Sequence, residues 1–195
     1  MTSVRLSLIM ALALSACDGS APKPAVPPDT SASATAGADT ELAQLQALTA
    51  PDACAWLTPN RLKQVYPDLS FAVHQAVAPR MSGYVWDSRC VYWAGVGSIE
   101  FAKDAPTHTV EIFIATAANE SRAKANLASQ HELASTSSGY LAQPALGTDA
   151  YAIIQTGAAS IYFLRGQSQV QINVSELHTP NDEKLRRANV LAQLL

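Results

Sequence analysis

The sequence predicts an α+β domain, an antiparallel sheet flanked by helices, and three observations carry that prediction. Short β-branched and aromatic runs recur at residues 88–94, 107–116, 150–155, 160–164 and 169–174. Two gaps between them, Thr156-Gly157-Ala158-Ala159 and Arg165-Gly166-Gln167-Ser168, are short and bear glycine, which is how antiparallel hairpins close. Helical segments stand before, between and after runs of strands, an order that packs helices on an antiparallel sheet.

Each element has its own local reason. Residues 41–48 fit a short helical turn. Thr58 followed by Pro59 is a helix start: a hydroxyl caps free amides, and proline at the first position lacks an amide to satisfy. That helix runs to about Tyr66 and stops before Pro67. Residues 69–77 read as a strand, and residues 79–83 as a turn around Pro79 and Gly83. Asn119 caps a helix running to about Leu133, whose modest apolar stripe is Ala123, Leu127 and Ala134; residues 135–139 break it. In the last strand Val170, Ile172 and Val174 alternate with Gln169, Gln171 and Asn173, so one face is buried and the other wet. Thr179-Pro180 opens a final helix with Leu185, Ala188, Leu191, Leu194 and Leu195 near one face.

The amino terminus carries an export pattern. Arg5 is the only charge before a run from Leu6 to Leu14 that is apolar except for Ser7. A basic start followed by an apolar stretch is a signal peptide, and the run is far below the ~20 residues that span a bilayer. Leu14-Ser15-Ala16-Cys17 resembles the bacterial lipobox. That resemblance implies a lipid on the Cys17 sulfur, cleavage before it, and an anchor of two or three acyl chains, which holds where one would not. The competing reading is an ordinary signal peptide in which Cys17 is incidental. Asp18 resembles the enterobacterial signal for inner-membrane retention; its bland reading is the start of a polar linker. The expected organisation is residues 1–16 as signal peptide, 17–40 as lipidated cysteine plus disordered linker, and 41–195 as one globular domain. Ala, Pro, Ser, Thr and Gly fill 18 of the 23 residues from 18 to 40, leaving almost nothing to bury.

Charge and cysteines narrow the classes. Without residues 1–16 the chain carries 12 − 16 = −4, which argues against nucleic acid as a partner. With Cys17 assigned to lipid, Cys54 and Cys90 form an even pair in an oxidising compartment, and a disulfide is expected. Two free thiols are the alternative.

The early Cys54 beside a short helix, Cys90 in a strand with Trp93, and the run Pro144-Ala145-Leu146-Gly147-Thr148-Asp149-Ala150 before a hairpin together resemble small bacterial lipoproteins of the DUF3558 type. The resemblance implies a Mog1/PsbP-like α/β sandwich and transfers no catalytic residue.

No chemistry-bearing motif stands out. His74, His108, His131 and His178 have no partner at metal-ligand spacing, so no metal and no cofactor is expected. There is no Gly-x-Ser-x-Gly elbow, and Gly95-Val96-Gly97 reads as a turn. Glu100, Asp104 and Glu111 fix no common site. Lys184, Arg186 and Arg187 form a basic cluster, with Glu183 placed to pair with Arg187. Tyr84, Trp86, Tyr92, Trp93 and Phe101 are the most suggestive group. Trp86, in a loop-like segment, and Trp93 are candidates for a recognition surface; core filling around the disulfide is the reading that residue statistics favour.

The expected function is therefore non-enzymatic: an envelope lipoprotein, anchored to a bacterial membrane and facing the periplasm, that binds another protein or envelope component. The alternatives are a small-ligand or lipid carrier, or an immunity lipoprotein against a cell-wall-degrading toxin, with its acidic charge matched to a cationic target.

Overall fold

The computed structural model describes residues 31–95, 97–99 and 102–195. The expected signal peptide, Cys17, Asp18, the start of the linker, Glu100 and Phe101 lie outside the described residues.

The first helix, α1 (Ser31–Gln46), begins well before the expected domain boundary. Residues 31–40, expected as linker, are helical. The prolines of this region end at Pro28, and alanine then recurs at every second position through Ala38, which favours a helix despite Gly37 and the intervening Ser and Thr. Its last turn is docked: Leu45 is buried, and the Trp86 Nε1–H donates to the Leu45 carbonyl at 2.8 Å.

Two short helices follow, α2 (Ala53–Trp56) and α3 (Pro59–Val65). Asp52 caps the first by accepting from the Cys54 amide at 2.7 Å. Thr58 caps the second by accepting from the Arg61 amide, with Pro59 at the first position. Strands β1 (Ala72–Ser82) and β2 (Val85–Ala94) form a long hairpin. The turn expected at residues 79–83 is instead mostly strand. Pro79 is tolerated there because β1 is an edge strand and its register shifts between Val77 and Arg80. Trp86, expected in a loop, is therefore a strand residue.

After β3 (Gly97–Ile99) and β4 (Ala102–Ala105), a small separate hairpin, come β5 (His108–Thr116) and α4 (Glu120–Ala134). Asn119 caps α4 by accepting from the Arg122 amide at 2.9 Å. Then follow β6 (Tyr140–Ala142), a 3₁₀ turn (Pro144–Leu146), β7 (Tyr151–Gln155), β8 (Ala158–Arg165), β9 (Ser168–Glu176) and α5 (Asn181–Leu194). Gly139 joins α4 to β6 with φ +82°; a Cβ there would lie 2.0 Å from the Ile154 carbonyl oxygen, so only glycine fits. The final helix has Pro180 at its cap position, with no side-chain capping bond.

Seven strands make one antiparallel sheet in the order β1-β2-β5-β9-β8-β7-β6. The fold is α+β. Alternation decides which face is covered. Val110, Ile112 and Ile114 of β5, Ile161 and Phe163 of β8, and Val170, Ile172 and Val174 of β9 are all essentially buried. They form one core with Leu57 and Leu62 from the α2–α3 segment and Ala188 and Leu191 from α5.

Polar ties fix the short helices to this core. Cys54 and Cys90 are joined as a disulfide, linking α2 to β2. Next to it the buried Ser88 hydroxyl donates to the Pro51 carbonyl at 2.8 Å and accepts from the Ala53 amide at 3.1 Å. The buried Tyr92 hydroxyl donates to the Leu57 carbonyl. Burial, reinforced by the Asp52 charge, pushes its pKa up to about 12.

Cys54→Ser/Cys90→Ser should lower unfolding free energy by about 3–4 kcal/mol through regained chain entropy. Denaturant titration of oxidised, reduced and double-serine protein measures it; coincident curves would refute the stabilising role.

Candidate functional site on the open face of the sheet

The same alternation that builds the core sends the intervening residues to the opposite face. Helix α4 packs there against β8 and β9: Gln130 bonds to Gln169, His131 lies against the Tyr151 ring, and Leu127 shares a cleft with Leu164. The described helices leave β1, β2 and β5 open on this side, and Asp87, Arg89, Glu111, Phe113, Gln171 and Asn173 are all half-buried.

Register places these side chains in adjacent rows. Val77, Arg89, Phe113, Gln171, Tyr162 and Tyr151 follow one another across six strands. Gln75, Val91, Glu111, Asn173 and Ser160 form the neighbouring row. An open cleft of about 530 Å³ lies over the first part of both rows. Its charges are internally balanced: Arg80 pairs with Asp87 at 2.9 Å, and Arg89 with Glu111 at 2.5 Å. Among the described residues, two buried side-chain polar atoms lack an aligned hydrogen-bond partner, Arg89 Nε and Asn173 Oδ1. Arg89 Nε touches Glu111 as an ion pair without hydrogen-bond alignment, and Asn173 Oδ1 has nothing.

Beside α4 the face becomes aromatic. Tyr151 stacks on Tyr162 with ring centroids 4.6 Å apart, and Tyr140 lies 6.2 Å beyond Tyr151. His131 Nε2 hydrogen-bonds the Tyr140 hydroxyl, while Asp149 stands 4.0 Å from His131 Nδ1. That distance exceeds a hydrogen bond, so Asp149 does not orient the imidazole as a catalytic acid would. The couple braces α4 on β6 and β7. Burial, then the neighbouring Tyr162, pushes the Tyr151 phenol up to about 12, so it stays a neutral donor. A second cleft, of about 420 Å³, runs between α4 and the 144–150 segment, with an apolar floor of Leu127, Leu146 and Leu164.

A second group of bonded charges lies on the buried face. Glu176 is 3% exposed. It accepts from the Tyr66 hydroxyl at 2.6 Å and from Arg187 Nη1 at 2.7 Å. Arg187 also donates to Glu183 at 2.8 Å and lies over the Tyr66 ring. Bonds from Arg186 and Arg187 hold the half-buried Glu183 carboxyl down to about 2. Burial and the Glu176 bond raise the Tyr66 phenol. Every partner is satisfied within the cluster, so it clamps α3, β9 and α5 together. The Glu183–Arg187 pair was legible from spacing; Glu176 and Tyr66 were not. The available signal was that Glu176 continues the inward series Val170, Ile172, Val174.

The four described aromatics of that group do not form one cluster. Tyr92 is fully buried, Trp86 half-buried under the end of α1, Tyr84 exposed at the hairpin tip, and Trp93 37% exposed and stacked on His74. Trp86 and Trp93, the two candidates for a recognition surface, have opposite parity on β2 and point to opposite faces. Among the described residues no group of three or more His, Cys, Asp or Glu side chains could hold a metal ion, and no helix is long and apolar enough to cross a membrane.

No protein-family model matches the chain, and no curated protein matches it. The fold is similar to the crystal structure of the extracellular domain of PknH from Mycobacterium tuberculosis, with a TM-score of 0.54 and 10% identity over 75% of this chain and 96% of that one. The likeness concerns the fold. The Cys54–Cys90 disulfide, for its part, fits an oxidising, non-cytosolic compartment.

The open face should be separable from stability. Gln171→Ala and Arg89→Ala are expected to change unfolding free energy by about 1 kcal/mol or less, whereas Ile112→Ala on the other face costs about 2–5 kcal/mol; urea titration of the three variants distinguishes them. Acid stability should report His108, whose pKa burial holds below the ordinary 6.5, aided by Arg187 and opposed by Glu176. The unfolded chain then takes the proton more readily, so this contribution is complete above pH 6.5 and is lost as pH falls through the folded-state value. Melting temperature should fall more steeply below pH 6.5 for the native chain than for His108→Gln.

Proposed function

We propose that this chain is a lipid-anchored envelope protein, non-enzymatic, that binds another protein or envelope component through the open face of its sheet. The observation that supports this reading is the pair of adjacent rows of half-buried polar and aromatic side chains over β2, β5 and β9. Rigid central strands hold those side chains, which is how a binding surface is kept ready. In this reading Cys17 carries the lipid, residues 18–30 form the spacer, and docking of Leu45 under Trp86 ties the tether to the domain. The DUF3558-type resemblance belongs to the same reading. Two of the segments that suggested it, around Cys54 and Cys90, are covalently joined, and Leu146 from the third packs on the core.

A small-ligand carrier is the second reading, favoured by the apolar floor of the cleft beside α4. Native mass spectrometry of protein taken from membranes would show the cargo.

Two measurements check the main proposal. Palmitate should label the native chain and not Cys17→Ala. Affinity capture from solubilised envelopes should enrich specific components with the native chain and lose them with Phe113→Ala/Gln171→Ala; equal capture by both would remove the open face from the proposal.

A further inference from the structure

We infer that α1 is a releasable strap: it leaves the domain as a unit while the sheet stays folded, and its docking sets how far the domain stands from its membrane anchor. The release is a property of the described fold; its effect on membrane distance rests on the proposed lipid at Cys17.

The amino-terminal segment divides into a firmly held part and a lightly held one. From Pro51 onward the chain is fastened several times over. The Ser88 hydroxyl donates to the Pro51 carbonyl at 2.8 Å, the Cys54–Cys90 disulfide follows, and Ala53, Leu57 and Leu62 sit in the core. Before Thr49 the attachment is narrow. Among the side chains described between residues 37 and 48, only Leu45 is buried, and it lies outside the main core cluster. Leu42 and Leu48, on either side of it, are half-buried. The Trp86 Nε1–H donates to the Leu45 carbonyl at 2.8 Å, whereas the polar contacts to α4 are stretched: Gln44 meets Asn119 at 3.4 Å, and Glu41 meets Arg122 at 4.0 Å.

Release leaves no polar group stranded. The Leu45 carbonyl lies in the last turn of α1, where carbonyls lack a helical partner further on. Both it and the indole N–H turn to water when α1 departs. A solvated pair such as Glu41–Arg122 holds little. The Leu45 side chain is therefore the latch.

Nor does α1 hold itself. Its 16 residues stand little above the ~12–15 at which an isolated helix is marginal in water. Its first half alternates alanine with Ser, Thr and Gly, which lower helix propensity. Docking and helix formation are thus coupled, and the segment melts once Leu45 is out. A helix of this length spans about 24 Å, while the same residues extended reach about 50 Å. Release also moves the fixed point of the tether from Leu45 to Pro51. An anchored domain then reaches a partner that the docked form cannot.

Hydrogen–deuterium exchange on the detergent-solubilised full chain tests the strap. Amides 41–46 should be protected at least about a hundredfold less than amides 110–114 of β5. Leu45→Ala should speed exchange at 41–46 about tenfold or more. Gly37→Ala should slow it about threefold to fivefold, because a Cβ there meets nothing within 4 Å and only favours the helix. Exchange in β5 should not change in either variant, and melting curves confirm that both are folded. If 41–46 is as protected as β5, if a variant shifts both segments alike, or if neither variant moves 41–46, the strap is overturned. For the effect on distance, the lipidated chain is placed in vesicles carrying a dansyl-headgroup lipid. Energy transfer from Trp56, Trp86 and Trp93, all beyond Pro51, should fall in Leu45→Ala and not in Gly37→Ala. Unchanged transfer in Leu45→Ala overturns the effect on reach. A native chain that does not bind the vesicles refutes the lipid anchor, and the effect on distance with it, while the exchange result still decides the strap.

Discussion

Burial of one face of the sheet, and only one, is the constraint on which the rest of the structure depends. Along β5, β8 and β9 every second residue lies in a single core under α2, α3 and α5. A slip of one residue in any of these strands would bring Gln171 or Glu111 into that core and expose Ile172 or Ile112. Each such exchange forfeits a full hydrophobic side chain, worth about 1.5–3 kcal/mol, and buries unpaired polar atoms besides. Register is therefore held by side chains far more firmly than by the ladder, which would accept either pairing. The exception proves instructive: Glu176 faces inward, and it is accommodated because a phenol and a guanidinium meet both of its oxygens.

The amino-terminal segment is attached to that sheet by polar and covalent links as well as by burial of Ala53, Leu57, Leu62 and Tyr66. Helices α2 and α3 are too short to hold themselves, and each relies on a cap, the disulfide, and bonds from Ser88 and Tyr92. Helix α1 is held by its last turn through Leu45, Trp86 and the Gln44–Asn119 contact. This arrangement transmits orientation from the start of the domain to β2, the strand that carries Asp87 and Arg89 on the open face.

In the proposed reading, stability and recognition occupy opposite sides of the same strands. Residues of the open face are free to vary in chemistry because the core does not use them, yet the strands hold them in fixed register. The buried Glu176–Arg187–Tyr66 cluster shows the contrast. It is closed on itself and mostly buried, whereas the open-face charges of Arg80, Asp87, Arg89 and Glu111 pair with one another beside an open cleft.

Local pattern sufficed for much of this. Periodicity of two in residues 169–174, the glycine-bearing turns after β7 and β8, and the capping residues Thr58 and Asn119 are properties of a few neighbouring residues, and they determined element type and inward face from the sequence alone. The pairing of Cys54 with Cys90 followed from counting thiols. Tertiary structure decided what depends on partners distant along the chain. It set β5 beside β9, making Glu111 and Asn173 neighbours; it made β1 an edge, so that Pro79 sits in a strand; and it sent Trp86 and Trp93 to opposite faces, dividing a cluster that looked single in one dimension. The physical reason is that backbone periodicity is local, whereas strand order and the fate of a half-exposed polar side chain depend on which surfaces are left after the apolar faces have found each other.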